Sequence, residues 1–249
     1  MGGHVRVIPL AGLPELREND DLAALLVQSA AEAGGFLDGD VVVVAQKAVS
    51  KVEGRIVSLD DVEVSERARE LAGSEGDPRQ LEVILSEARE VVRSRPPLVI
   101  TETRHGFVCA SAGVDASNAP EPGVVVLLPL DPDASARRLR ERLGELAAVE
   151  IAVVVSDSFG RAWRQGTTDV ALGVAGFAPL RDLRGTRDAS GRRLRGTVIA
   201  VADEIAGAAE LVFGKARRVP AAIVRGVDLP AGDGTAAELV MPRERDLFR

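Results

Sequence analysis

Apolar residues along the chain recur in two periods. Short continuous runs of strand length stand at VRVIPL (5–10), VVVVA (41–45), VVVLLPL (124–130), IAVVV (151–155) and VPAAIVRGVDL (219–229). Between them lie stretches with helical spacing: LAALLVQSAAEAG (22–34), residues 60–73, DPRQLEVILSEAREVV (77–92), DPDASARRLRERLGELA (131–147) and EIAGAAELV (204–212). Asp20 or Asp21 is placed to cap the first helix, and Gly34–Gly35 to end it. The segment VVVVA is apolar at every position, which predicts a central strand covered on both faces. Residues 98–101 and 107–110 read as a hairpin or a pair of neighbouring strands, TVIAVADEIAGAAELVFGKA as a strand running into a helix, and the glycine-rich stretch 166–196 has no assignable element. Alternating strands and helices without a repeat of solenoid length predict an α/β fold of mixed α+β character. The expected organisation is one domain over residues 1–249 in two closely associated lobes, with no linker to mark their boundary.

Composition narrows the class. A chain of 249 residues, 46% hydrophobic and 28% charged, can bury a sizeable core. A net charge of -7 argues against a broad nucleic-acid surface. The single cysteine, Cys109, excludes an intrachain disulfide, and two histidines with no cysteine cluster exclude a zinc site of ordinary spacing. No apolar run is long enough for a membrane span and the start MGGHVRVIPL lacks a signal-peptide layout, so the expected compartment is the cytoplasm. Lysine is scarce: Lys47, Lys51 and Lys215 are three of 31 cationic residues, so two within one short segment carry information.

The chemistry concentrates in VVSDSFGRAWRQG (154–166), where an apolar run meets Asp157 and Ser158, followed by Arg161, Trp163 and Arg164. A buried strand opening into a charged turn is a common site architecture in α/β proteins. A second polar concentration holds His105, Asp115, Ser117 and Asn118. There is neither GxxxxGK[ST] nor GxGxxG after the first strand, so a phosphate site would be assembled from the GLPEL turn with Lys47 and Lys51. The alternative is a tight turn beside surface lysines. Asp115, Asp157 and the Ser158 hydroxyl are hard oxygen donors suited to Mg²⁺ or Mn²⁺, while helix capping and an Asx turn at Asn118 explain the same residues without a metal. Asp203 and Glu204, at a strand–helix junction, allow one cap and one further metal contact. Arg161 and Arg164 serve either an anionic substrate or ion pairs; Trp163 serves packing or a pocket wall; Cys109 reads as core.

Taken together, GLPEL with DDL, VVVVAQKAVSKVEGR, RHGFVCASAGVDASN, VVVSDSFGRAWRQG with ALGVAG, and VADEIAGAAELVFGKA, in that order, resemble the coenzyme F420-0:L-glutamate ligase family, also called F420 γ-glutamyl ligases. The resemblance implies a homodimeric, GTP-dependent enzyme that joins the amino group of L-glutamate to F420-0 or to a γ-glutamyl extension of it. It further implies an acyl phosphate intermediate and release of GDP and phosphate. By the same resemblance, Leu13, Pro14, Glu15, Leu16, Ala45, Gln46, Lys51 and Asn118 contact the nucleotide. Asp115, Asp157 and Ser158, with Glu204 as a further ligand, hold Mg²⁺ or Mn²⁺; K⁺ is an additional candidate ion. Lys51, Arg161 and Arg164 supply positive charge to the reaction. Ser158 stands where the family often has threonine and keeps the hydroxyl, whereas Gln46 stands where serine or threonine is common and alters a phosphate contact. Some relatives carry a flavin-binding domain after this one, and a chain ending at MPRERDLFR is read as the ligase domain alone.

Overall fold

The structure, a computed structural model, describes residues 4–248. Its strands are β1 (Arg6–Leu10), β2 (Val41–Ala45), β3 (Ile56–Ser58), β4 (Ala88–Arg95), β5 (Leu98–Thr103), β6 (Val108–Ala110), β7 (Val124–Val126), β8 (Ala152–Arg161), β9 (Arg164–Ala175), β10 (Leu180–Asp182), β11 (Val198–Ala200) and β12 (Ala221–Arg225). The helices are α1 (Leu22–Glu32), α2 (Gln46–Val52), α3 (Glu66–Ala72), α4 (Pro78–Glu87), α5 (Pro132–Ala147) and α6 (Val201–Phe213).

Five strands form the main sheet in the order β1-β12-β2-β8-β9. Only β2 and β8 run parallel; the other neighbours are antiparallel. The period of two in each strand divides the apolar residues between the faces. Val42, Val44, Val153, Val155 and Ile223 meet α1 and α5, through Leu26, Leu139 and Leu143. Val41, Val43, Val154, Ala222 and Val224 meet α6 through Ile205, Ala206 and Ala209. The run VVVVA is thus covered on both faces, as its composition predicts. A separate core packs α3 and α4 against β5 and β7 through Leu71, Leu81, Ile84, Val99 and Val125. The chain is α/β with several sheets.

Local chemistry sets the helix ends. Asp21, rather than Asp20, caps α1 by accepting from Ala24 N, while Asp20 accepts from Arg17 N. Asp131 caps α5 ahead of Pro132 in the first turn. One close approach depends on glycine. A Cβ on Gly173 would lie 2.1 Å from Pro132 O, so only glycine lets the start of α5 abut β9.

Three expectations need correction. The helical pattern over 77–92 stops at Glu87, because Ala88–Arg95 pairs with β5; the β-branched Val91 and Val92 fit that ladder better than a helix. The run at 124–130 supplies only three strand residues. Most importantly, β8 does not open into a turn at Asp157. It continues through Ser158, Phe159 and Gly160 to Arg161, paired with β9, which absorbs the first part of the unassigned glycine-rich stretch. Among the described residues no helix is long and apolar enough to cross a membrane.

Asp40, 1% exposed at the entrance to β2, takes a two-pronged ion pair from Arg225 at 2.7 Å on each oxygen and also accepts from Leu37 N. Arg225, whose side chain is 16% exposed, donates in addition to Gly35 O. Removing one partner of such a buried pair strands the other charge. Asp40→Ala is expected to lower the unfolding free energy by about 3 kcal/mol, measured by urea denaturation; a loss below the level of a surface substitution contradicts this assignment.

Candidate active site

The central sheet ends unevenly. β2 stops at Ala45, opposite Ser156, and the chain turns at once into α2, whereas β8 runs on for five more residues beside β9. Beyond Ser156 the edge of β8 that β2 would have covered faces a cavity of about 570 Å³, of a size for a nucleotide. Its walls are the turn Leu13–Leu16, the start of α2, Asn118 to Pro120, the segment Ser156–Ser158, and the end of α6 with the following Lys215, Arg218 and Pro220. This is the carboxyl end of the one parallel strand pair in the main sheet, where α/β proteins characteristically bind ligands.

Alternation along β8 sends acidic groups to both sides of that edge. Asp157 points to the α2 side, near Lys47 and Asp115. Lys47 Nζ bonds Asp115 Oδ2 at 2.5 Å and Ser117 Oγ at 2.8 Å, and Ser117 N donates to Asp115 Oδ1 at 2.7 Å. Burial works against the Asp115 carboxylate, but these hydrogen bonds outweigh it and hold its pKa below the usual range. For Asp157 the balance is reversed: the Ser158 N–H and Lys47 favour its ionised form but do not offset its burial. Protein surrounds it on most sides while its side chain still reaches the cavity, and burial pushes its pKa up to about 7, with Asp169 and Asp115 adding repulsion. A carboxyl that resists ionisation in this way is a group short of a cation.

On the α6 side stand Ser156, Ser158, Asp169 and Glu210. Asp169, opposite Ser158 on β9 and 4% exposed, accepts from Ser156 Oγ at 2.8 Å and from Ser158 Oγ at 2.7 Å. Its own N–H donates to Glu210 Oε2 at 3.0 Å. Burial raises the Asp169 pKa, with Glu210 adding to the repulsion. All three lysines of the chain line the cavity. Lys51 is paired with Glu15 of the Leu13–Leu16 turn, which ties that turn to α2. Gln46, 1% exposed, accepts from Ser50 Oγ at 2.9 Å, but its Nε2 has no protein partner. A buried, unpaired donor in a cavity wall is costly unless a ligand accepts from it.

Of the residues singled out in the sequence, Leu13, Pro14, Glu15, Leu16, Ala45, Gln46, Lys51, Asn118, Asp157 and Ser158 all line this one cavity, and Asp115 joins it through Lys47. Glu204, Arg161 and Arg164, the other residues assigned to the site, do not come there. Glu204 is exposed on the first turn of α6, one residue past Asp203, whose carboxylate bonds Ala171 N at 2.9 Å. Seven residues from Asp203, two helical turns on, it is Glu210 that returns to the sheet side. Arg161 and Arg164 pair across the exposed tip of the β8–β9 hairpin, away from the cavity walls. Trp163, 83% exposed at that tip, is neither core nor pocket wall and rests on Phe248 at 4.7 Å between ring centroids. His105 Nε2 lies 3.0 Å from Pro129 O, a local hydrogen bond. Cys109 is core, its thiol pushed up to about 12 by burial and the nearby Asp157, which makes it inert. Sequence reasoning missed Asp169 and Glu210. The helical period from Asp203 carried a signal for Glu210, while Asp169 lay in a stretch without a recognisable period.

Among the described residues no three histidine, cysteine or carboxylate side chains cluster tightly enough to enclose an ion alone. The donor set still fits Mg²⁺ or Mn²⁺: these ions usually take one or two carboxylates and fill their remaining positions with water and phosphate oxygen. Fold and site define an α/β protein with three lysines and several acidic oxygen donors gathered around one cavity. The family model for F420-0:gamma-glutamyl ligase matches residues 12–226, and the chain belongs to that family. It is 46% identical over 257 residues to the coenzyme F420:L-glutamate ligase of Methanopyrus kandleri, covering all of both chains. It is 44% identical over 252 residues to the enzyme of that name from Methanothermobacter thermautotrophicus, covering 98% of this chain and 99% of the relative. With the corresponding protein of Methanocaldococcus jannaschii the identity is 41% over 234 residues, 93% of this chain and 91% of the other.

The raised Asp157 pKa has a definite sign for stability. Below its unfolded value near 4 the group is neutral in both states. As pH rises through the folded value of about 7, the folded state must ionise a group the unfolded chain ionises freely, so its contribution is lost. Asp157→Asn removes this penalty. Without divalent ions it is expected to raise the melting temperature at pH 8 relative to wild type, and to leave pH 4 nearly unchanged. Equal melting temperatures at pH 8 contradict the burial of the charge.

Proposed function

We infer that this chain is a GTP-dependent ligase that adds L-glutamate to coenzyme F420-0 and extends the product with γ-linked glutamates. Family membership supports the substrate pair, since the relatives carry the name coenzyme F420:L-glutamate ligase. The observation that carries the phosphoryl-transfer part is the gathering of every lysine in an arginine-rich chain at one cavity, facing Asp157, Ser158, Asp169 and Glu210. Lysine is a compact charge suited to phosphate, and acidic oxygen donors have no place beside phosphate unless cations lie between them.

In this reading the nucleotide's phosphates lie along the open edge of β8. Asp157 with Asp115, and Ser158 with Glu210, would hold Mg²⁺ or Mn²⁺, with K⁺ a further candidate; such ions would supply charge neutralisation to the transferred phosphoryl group. Lys51 and Lys215 are the lysines placed to meet phosphate oxygens. Lys47, bonded to Asp115, occupies the position of a counter-charge to that carboxylate. The Gln46 amide donates its unpaired N–H to the ligand. The acceptor carboxylate attacks the γ-phosphorus as the bond to the GDP oxygen breaks, giving an acyl phosphate. The glutamate amine then attacks the acyl carbon, phosphate leaves, and the ammonium loses a proton. No side chain needs to become a covalent nucleophile. The working form is a cytoplasmic homodimer, in which Arg161, Trp163 and Arg164, exposed at the hairpin tip, are the groups available to a second copy.

Mass analysis of F420-0 incubated with the protein, L-glutamate, GTP and Mg²⁺ or Mn²⁺ is expected to give a product heavier by one or more glutamate residues, with GDP formed in equal number. Unaltered F420-0 under these conditions, or glutamate addition without a nucleotide, contradicts the reading. Lys51→Met is expected to raise the KM for GTP about tenfold or more, the cost of one charge-assisted contact. An unchanged KM removes Lys51 from the nucleotide site.

A further inference from the structure

Asp169 lies outside every role assigned above, and its surroundings give it one. We propose that Asp169 is a positioning residue: it holds the Ser158 hydroxyl and the Glu210 carboxylate apart and turns both toward a divalent ion. The proposal rests on the cation-dependent reading of this cavity and names the residue that prepares its α6 side.

The hydrogen bonds set the direction of each group. Ser158 Oγ has one hydrogen and two acceptors within reach, Asp169 Oδ1 at 2.7 Å and Glu210 Oε1 at 3.5 Å. The shorter bond takes the hydrogen, so the oxygen lone pairs are left for the cavity. Without Asp169 that hydrogen turns to Glu210, and the two candidate ligands satisfy each other instead of an ion. Glu210 is set from the same residue, because Asp169 N–H binds Oε2 and turns Oε1 toward Ser158 Oγ, 3.5 Å away. Ser156 Oγ donates to the second oxygen, Asp169 Oδ2, at 2.8 Å and so fixes the rotation of the carboxylate. Gly207 of α6 faces Thr168 and Asp169 O where the helix packs on β9. Independent of these acids, the unpartnered Nε2 of Gln46 in the same cavity marks the space as one that a ligand fills. Carboxylates that orient a metal ligand through its hydrogen atom typically change metal affinity 10–100-fold when removed, so the effect expected here is about that size.

The test titrates Mn²⁺ into the full chain with GDP present and follows free Mn²⁺ by electron paramagnetic resonance, a readout independent of turnover. Wild type is expected to take up Mn²⁺, and Asp169→Asn to bind it about ten- to a hundredfold more weakly. Asparagine is close in shape to the aspartate it replaces, and urea denaturation of the apo protein checks that the fold is kept. Asp169→Glu provides a second variant that retains the carboxylate and is expected to recover part of the affinity. Ser158→Ala supplies the decisive background: if Asp169 acts through that hydroxyl, Asp169→Asn costs much less there than in wild type. Equal Mn²⁺ affinity in wild type and Asp169→Asn overturns the positioning role while the cation site stands. Fully additive losses in the double variant overturn it too. No Mn²⁺ uptake by wild type with GDP instead overturns the reading of the cavity itself.

Discussion

The site depends on a difference in strand length. β8 follows β2 in parallel up to Ser156 and then continues without it, supported on its other edge by β9. That extension leaves one edge of a strand exposed inside the protein, where its backbone groups and the side chains of both faces reach a common space. A strand in mid-sheet would send Asp157 and Ser158 to opposite layers, with the sheet between them. At an open edge the same alternation lets both line one cavity. A register shift near Val155 and Ser156 re-aims β9, so that Ala171 and Val174 both face α6 while Asp169 comes to lie beside Ser158.

Electrostatics explains why this arrangement needs a partner. Asp157 sits where its ionised form is disfavoured, and Asp169 is raised likewise. Asp115 is ionised only with the help of Lys47 and Ser117. A buried group of this kind weakens the fold it belongs to unless something offsets its charge. The three lysines around the same cavity are too dispersed to neutralise each acid, and two of them are already bonded to Asp115 and Glu15. At the entrance to β2, by contrast, Arg225 meets the buried charge of Asp40 directly. Stability given up at a site and recovered on ligand binding is the ordinary signature of function.

Much of this was legible before the fold was known. The apolar runs marked the central strands, Asp20 or Asp21 marked the start of the first helix, and the scarcity of lysine pointed to Lys47 and Lys51 as more than surface charge. The course of β8 was not legible, because Ser156, Asp157, Ser158 and Gly160 have low strand propensity and are held extended by β9 rather than by their own preference. β9 was invisible in a similar way: Gly166 and Gly173 and the polar start of the strand interrupt its pattern, and pairing with β8 holds it extended. Glu204 drew attention as Asp203's neighbour in sequence, yet on a helix the neighbour in space was Glu210. Arg161 and Arg164 followed Asp157 closely in sequence, but an extended strand carries them away from it, and a turn would not have.

The central claim is spatial: cations and a nucleotide's phosphates meet on the two sides of one exposed strand edge. A crystal structure with Mn²⁺ and a non-hydrolysable GTP analogue, using the anomalous signal of manganese, tests it directly. Anomalous peaks beside Asp157 and between Ser158 and Glu210, with phosphate oxygens bridging them, are the predicted result. Nucleotide bound elsewhere, or manganese remote from both sides of β8, would contradict it.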